Sequence, residues 1–98
     1  MEIIKNRNGS ELYLALIGRL DTNTAPSLET TLKESLDDVT LLTLDFEKLE
    51  YISSAGLRIL LTAQKRMNKL GTMKLQHVNK DVRDVFDITG FSDILTIE

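Results

Sequence analysis

Short apolar runs alternate along this chain with segments in which large apolar residues return every three or four positions, and that alternation admits few folds. Leu12-Tyr13-Leu14-Ala15-Leu16-Ile17, Val39-Thr40-Leu41-Leu42-Thr43-Leu44 and Met73-Lys74-Leu75-Gln76-His77-Val78 have strand length and strand composition. Leu28, Leu32 and Leu36, then the stretch from about Ala55 to Leu70, then Val82, Val85, Phe86 and Thr89 carry helical spacing. A strand pattern followed by a helix pattern, repeated, builds parallel βαβ units with right-handed crossovers. Ahead of them, Ile3-Ile4-Lys5 and the Leu12 run flank Asn8-Gly9, which suits the positive φ angles of a tight hairpin, so the sheet should begin antiparallel. With Ile94 to Ile97 as a short last strand, the order is ββαβαβαβ. This is an α/β chain: one domain over residues 1–98, a mixed sheet with an N-terminal antiparallel hairpin and then parallel βαβ units, and three helices.

The second strand is apolar at both odd and even positions and should be central. Pro26 fits the first turn of the first helix, with Asn23, Thr24 or Ala25 as its cap. Gly71 is expected to close the second helix in a left-handed conformation, Asn79 to cap the third and Gly90 to stop it. On a helical wheel, Gly56, Ile59, Leu60, Ala63, Met67 and Leu70 share the core face of the second helix. Leu57 and Leu61 fall beside it, on the side of Ser54. Either the buried stripe is wide and includes both leucines, or they form an exposed contact patch with Ser54.

A chain of 98 residues can bury one core but has no room for a deep cavity between domains. Cysteine is absent, which excludes disulfides and thiolate chemistry. The five glycines are isolated, so no phosphate-binding loop is present, and the single histidine, His77, supports neither a catalytic triad nor a metal cluster in sequence. A nucleotide-binding role is therefore disfavoured. The net charge is -3 and no basic stripe is interleaved with aromatics, which argues against direct nucleic-acid binding. No apolar run approaches membrane-spanning length, and the N-terminus lacks a signal pattern. These readings give a cytoplasmic, non-enzymatic protein with no catalytic residue, no cofactor, no metal and no membrane contact of its own.

The remaining chemistry lies where the strand pattern passes, through a short acidic connection, into the second helix at Tyr51-Ile52-Ser53-Ser54-Ala55-Gly56-Leu57-Arg58. A hydroxyl at a helix N-terminus can cap the helix, or can carry a phosphate favoured by the free N–H groups and the helix dipole. Asp21 ends a strand before Thr22-Asn23-Thr24, where an aspartate often shapes its own turn.

The segment from Asp45 to Leu61 resembles the signature of STAS domains, specifically the stand-alone anti-sigma factor antagonists of bacteria, and Gly18-Arg19-Leu20-Asp21 resembles their Gly-x-Leu-Asp motif. The likeness runs through the whole chain. It implies that Ser54 accepts a phosphate from an anti-sigma factor that is also a serine kinase, that a serine phosphatase removes it, and that Asp21 lies close to Ser54 on the partner surface. Joined with the contact patch of the helical wheel, the expected partner-binding residues are Asp21, Thr22, Ser53, Ser54, Leu57, Arg58 and Leu61. The family often has aspartate where this chain has Ser53, which makes Ser53 a minor rival acceptor. It often has a second hydroxyl where this chain has Ala55. The competing class is a free-standing STAS accessory subunit of a transporter or signalling complex.

Overall fold

The computed structural model describes residues 1–98. β1 (Glu2–Asn8) and β2 (Glu11–Leu20) form the hairpin, followed by α1 (Ala25–Ser35), β3 (Leu41–Asp45), β4 (Leu49–Ile52), α2 (Ser54–Leu70), β5 (Thr72–Gln76), α3 (Lys80–Thr89) and a 3₁₀ turn at Phe91–Asp93. Three helices and a mixed sheet agree with the alternation read above, with three corrections to the strands. Asn8 pairs with Glu11, so the hairpin turn is Gly9-Ser10 and not Asn8-Gly9. β4 lies in what read as an acidic connection. Ile94 to Ile97 is not a strand: the Leu95 N–H bonds back to the Phe91 carbonyl at 2.8 Å, which prolongs the preceding turn and leaves only a single parallel bridge between Ile97 and Leu75.

The strand order is β1-β2-β3-β5, and β2 is central as its two-sided apolarity implies. β3 and β4 lie one after the other along β2. Residues Glu11–Ala15 pair in parallel with β3, and Gly18–Leu20 pair in parallel with β4. The handover needs a register shift at Gly18, whose φ of +105° strains any residue with a Cβ. Its N–H donates to the Lys48 carbonyl at 3.0 Å.

Strand alternation sorts the sheet into two faces. Leu12, Leu14, Leu16 and Leu20 of β2, Leu42 and Leu44 of β3, and Met73 and Leu75 of β5 join residues of all three helices in one buried cluster. Positions between them, such as Tyr13, Ala15, Lys74 and Gln76, are half-buried on the opposite face.

Thr24 is the N-cap of α1, with Pro26 in the first turn. Asn79 caps α3 through Val82 N–H to Oδ1 at 2.9 Å. Gly71 does follow α2, but its φ of 165° is extended and not left-handed. Glycine is required there by a close approach, because a Cβ on it would lie 2.0 Å from the Thr40 carbonyl oxygen. The chain leaves the helix so abruptly that Leu70, assigned above to the core face, is 39% exposed. No helix is long and apolar enough to cross a membrane.

Candidate functional site

β2 and β4 end in step. Leu20 is paired with Ile52, and the Ser53 N–H donates to the Leu20 carbonyl at 2.9 Å. Asp21 and Ser53 therefore leave neighbouring strands at the same end of the sheet, and α2 starts at once. Its first turn lies close against both strands: a Cβ on Gly56 would stand 2.7 Å from Leu20 Cγ and 2.9 Å from Ile52 Cγ1. The Gly-x-Leu-Asp segment and the Ser-Ser-Ala-Gly segment thus meet through Leu20 and Gly56.

The two serines have different jobs. Ser53 is the N-cap, with the extended backbone that caps adopt. Its Oγ accepts from the Gly56 N–H at 3.4 Å and its carbonyl from the Leu57 N–H at 2.9 Å. Ser54 is the first helical residue and is exposed. The self-capping alternative considered for Ser54 is thereby corrected, since the cap falls one residue earlier.

Asp21 shapes its turn. Its Oδ1 accepts from the N–H groups of Asn23 at 3.0 Å and Thr24 at 3.2 Å, while its own N–H donates to Thr24 Oγ1 at 2.8 Å. Partial burial pushes the Asp21 carboxyl up, but these donors, the Thr24 hydroxyl and the Arg19 charge outweigh it and hold the group below its usual value. Arg19 Nε stands 3.8 Å from Asp21 Oδ2, and its guanidinium lies 4.2 Å from the centre of the Tyr51 ring. Sequence reading missed this Arg19–Tyr51 pair, because the two residues are neighbours only through the unforeseen β4. Thr22 and Arg58 are exposed.

The two leucines do not form an exposed patch. Leu57 is 8% exposed and belongs to the core, and Leu61 is half-buried. The wide stripe is the correct reading and even includes Gln64, 7% exposed, because the close seating allowed by Gly56 draws the flank of α2 inward. Leu57→Ala should accordingly cost about 2–5 kcal/mol of stability, as for other core leucines. An unfolding midpoint equal to that of the parent chain would contradict its place in the core.

A second polar cluster, on the sheet's other face, had no sequence signal. At the end of β3 the buried Asp45 accepts the Tyr13 hydroxyl on Oδ2, and on Oδ1 the Glu47 N–H at 2.9 Å. His77, just past β5, places Nδ1 2.9 Å from the same Oδ1. Burial pushes the Asp45 carboxyl up, but Tyr13, the Glu47 N–H and His77 outweigh it and hold it low. The hydrogen bond to Asp45, and its charge, raise His77 above the usual 6.5. A lowered carboxyl contributes stability above its unfolded pKa, roughly 4, and loses it as pH falls through the folded value. A raised imidazole contributes below about 6.5 and loses it as pH rises through the folded value. The pair should stabilise most between roughly pH 4 and 6.5. His77→Asn should flatten the alkaline limb of stability against pH measured by urea unfolding, and an unaltered limb would refute the coupling.

The STAS domain family model matches residues 2–98. BtrV of Bordetella bronchiseptica, whose name places it with the anti-sigma factor antagonists, is 32% identical over 99 residues, covering 99% of this chain and 85% of that protein. The anti-sigma-B factor antagonist of Bacillus subtilis is 27% identical over 92 residues, covering 93% and 84%. The anti-sigma factor antagonist SpoIIAA in its unphosphorylated form superposes with a TM-score of 0.79 at 18% identity, over 99% of this chain and 87% of that one. The phosphorylated form of the Bacillus SpoIIAA superposes equally well, with a TM-score of 0.78 at 18% identity, over 99% and 91%. By family model, relatives and fold together, this chain belongs to the STAS domain family, among the anti-sigma factor antagonists.

Proposed function

We propose that this chain is a phosphorylation-switched binding protein: unphosphorylated, it binds an anti-sigma factor with serine kinase activity and so releases a sigma factor, and phosphate on Ser54 ends that binding. A serine phosphatase restores the binding form. The kinase supplies the nucleotide, so the chain needs no cofactor and acts as ligand and substrate.

The observation that carries this reading is the division of labour at the start of α2. Ser53 does the capping, while Ser54 is exposed at the positive end of a 17-residue helix. A phosphate on Ser54 would leave the cap in place and meet favourable helix electrostatics. Ser53 in the position where the family often has aspartate preserves the same capping chemistry, since both side chains accept from helix N–H groups. Asp21, Thr22 and Arg58 surround this end of the sheet and complete the partner surface. Leu61 lies at its half-buried margin, and the buried Leu57 supports it from beneath.

The test is incubation with the cognate kinase and ATP, read by mass spectrometry, on two variants. Ser53→Ala should lose about 0.5–2 kcal/mol of stability yet still take phosphate. Ser54→Ala should keep its stability and take none. Phosphate on Ser53 alone, or on neither serine while the partner binds every variant equally, would move the chain to the accessory-subunit class.

A further inference from the structure

We propose that Asp45, Glu47 and His77 form a binding site for a divalent transition-metal cation of the zinc or manganese class, on the sheet face away from the helices. Each residue offers a ligand atom, and these atoms lie within 4.8 Å of one another. The set is mixed, one imidazole and two carboxylates, which suits such ions better than the all-oxygen shells preferred by calcium and magnesium.

The anchoring ligand is held in advance. Asp45 is 8% exposed, and its carboxylate is oriented by the Tyr13 hydroxyl on one oxygen and the Glu47 N–H on the other. Metal-bound carboxylates and histidines depend on such outer partners for their aim. His77 has a φ of +58°, a left-handed conformation uncommon in residues with a side chain, and its ring is brought onto Asp45 from the end of β5. The Nδ1–Oδ1 distance is 2.9 Å. Two ligands on a tetrahedral ion with bonds near 2.0 Å stand ~3.3 Å apart. To hold the ion, the Asp45–His77 pair opens by a few tenths of an ångström, the imidazole turns its lone pair off Oδ1, and the exposed Glu47 side chain swings inward from the 4.8 Å spread of the set. Any proton on Nδ1 leaves to solvent as the metal–nitrogen bond forms.

Glu47 is exposed and takes part in no ion pair, so its carboxylate is available as the third ligand. A mostly apolar cavity of about 200 Å³ borders Asp45, Glu47 and Lys48, on the side of the cluster away from His77, and gives access to the two carboxylates. With the imidazole neutral, two carboxylates carry two negative charges that a dication neutralises, and Lys48 on the cavity wall pairs with neither of them.

The experiment is a titration of the ¹⁵N-labelled full chain with zinc chloride, followed by NMR and calorimetry, with manganese chloride as a paramagnetic probe. One-to-one binding is expected, with zinc shifting the His77 ring nitrogens and manganese broadening the amides around Asp45 to Lys48 and Gln76 to Val78. His77→Asn, a residue that tolerates the left-handed backbone, and Glu47→Gln, at an exposed site, should each weaken zinc at least ~10-fold while the chain remains folded. Zinc that leaves these resonances unmoved, or that binds His77→Asn as tightly as the parent, would overturn the assignment.

Discussion

Gly71→Ala should cost about 3 kcal/mol or more, beyond the usual 1–3 kcal/mol of overpacking, because the obstacle is main chain. The added Cβ would lie 2.0 Å from the Thr40 oxygen, 2.7 Å from its carbonyl carbon and 2.9 Å from its Cα. No side chain can rotate to relieve that. The same Thr40 oxygen accepts the Thr72 N–H at 2.9 Å, beside the first β3–β5 pair, Leu41 with Thr72. Separating the two strands of chain would therefore strain the start of that ladder as well as the end of α2. Total stabilities of about 5–15 kcal/mol are usual for domains, so the loss is a large share. Gly56→Ala is the natural comparison: its neighbours are the side chains of Leu20 and Ile52 and not main chain, but both are buried and met at Cγ and Cγ1, so its cost should fall at the upper end of about 1–3 kcal/mol. Urea unfolding of the two variants decides it, and a Gly71→Ala chain as stable as the parent would rule out the close approach.

Ser54→Glu should leave the fold intact and lower affinity for the cognate anti-sigma factor ~100-fold or more. Position 54 is exposed, and the first turn of α2 contains no acidic residue, so a carboxylate there interacts favourably with the helix dipole by about 0.3–1 kcal/mol. Thermal stability should hold or rise slightly. At a docked surface the same charge loses water without gaining a partner, a penalty of about 2–5 kcal/mol, and ~1.4 kcal/mol is a factor of ten in affinity. Stability and binding thus move in opposite directions, which a merely misfolded variant cannot imitate. A Ser54→Glu chain that bound its partner as the parent does would remove Ser54 from the interface.

Local pattern revealed the elements whose burial repeats along the chain. The three helices, the central β2 and the parallel β3 and β5 all have apolar periodicity of their own. β4 does not: Leu49-Glu50-Tyr51-Ile52 buries only its two end residues, and it is a strand because the tail of β2 is free to pair with it beyond the shift at Gly18. The opposite error arose at the C-terminus, where Ile94 to Ile97 is apolar enough for a strand but only Leu95 is fully buried, with Ile97 packed at the margin of the core. Ser54 and Asp21 could be singled out from sequence, as could the sheet end they share. Which serine caps could not, because that depends on where the helix's first hydrogen bonds fall. Asp45 and His77 lie 32 positions apart and meet only through the parallel register that sets Asp45 beside Gln76. Nothing short of that register would have paired them.

The one-residue offset between the cap and its exposed neighbour also constrains how such chains diverge. Along a helix one position means about 100° of rotation and 1.5 Å of rise, enough to separate an inward-bonding hydroxyl from an outward one. Position 53 can hold serine, threonine, aspartate or asparagine without disturbing the exposed Ser54, since each of them caps. Deletion of a single codon after Ile52 would draw Ser54 into the cap and leave Ala55, without a hydroxyl, at the outward post, and an insertion there would carry Ser54 one position past that post. The junction thus tolerates a change of capping residue more readily than a change of length.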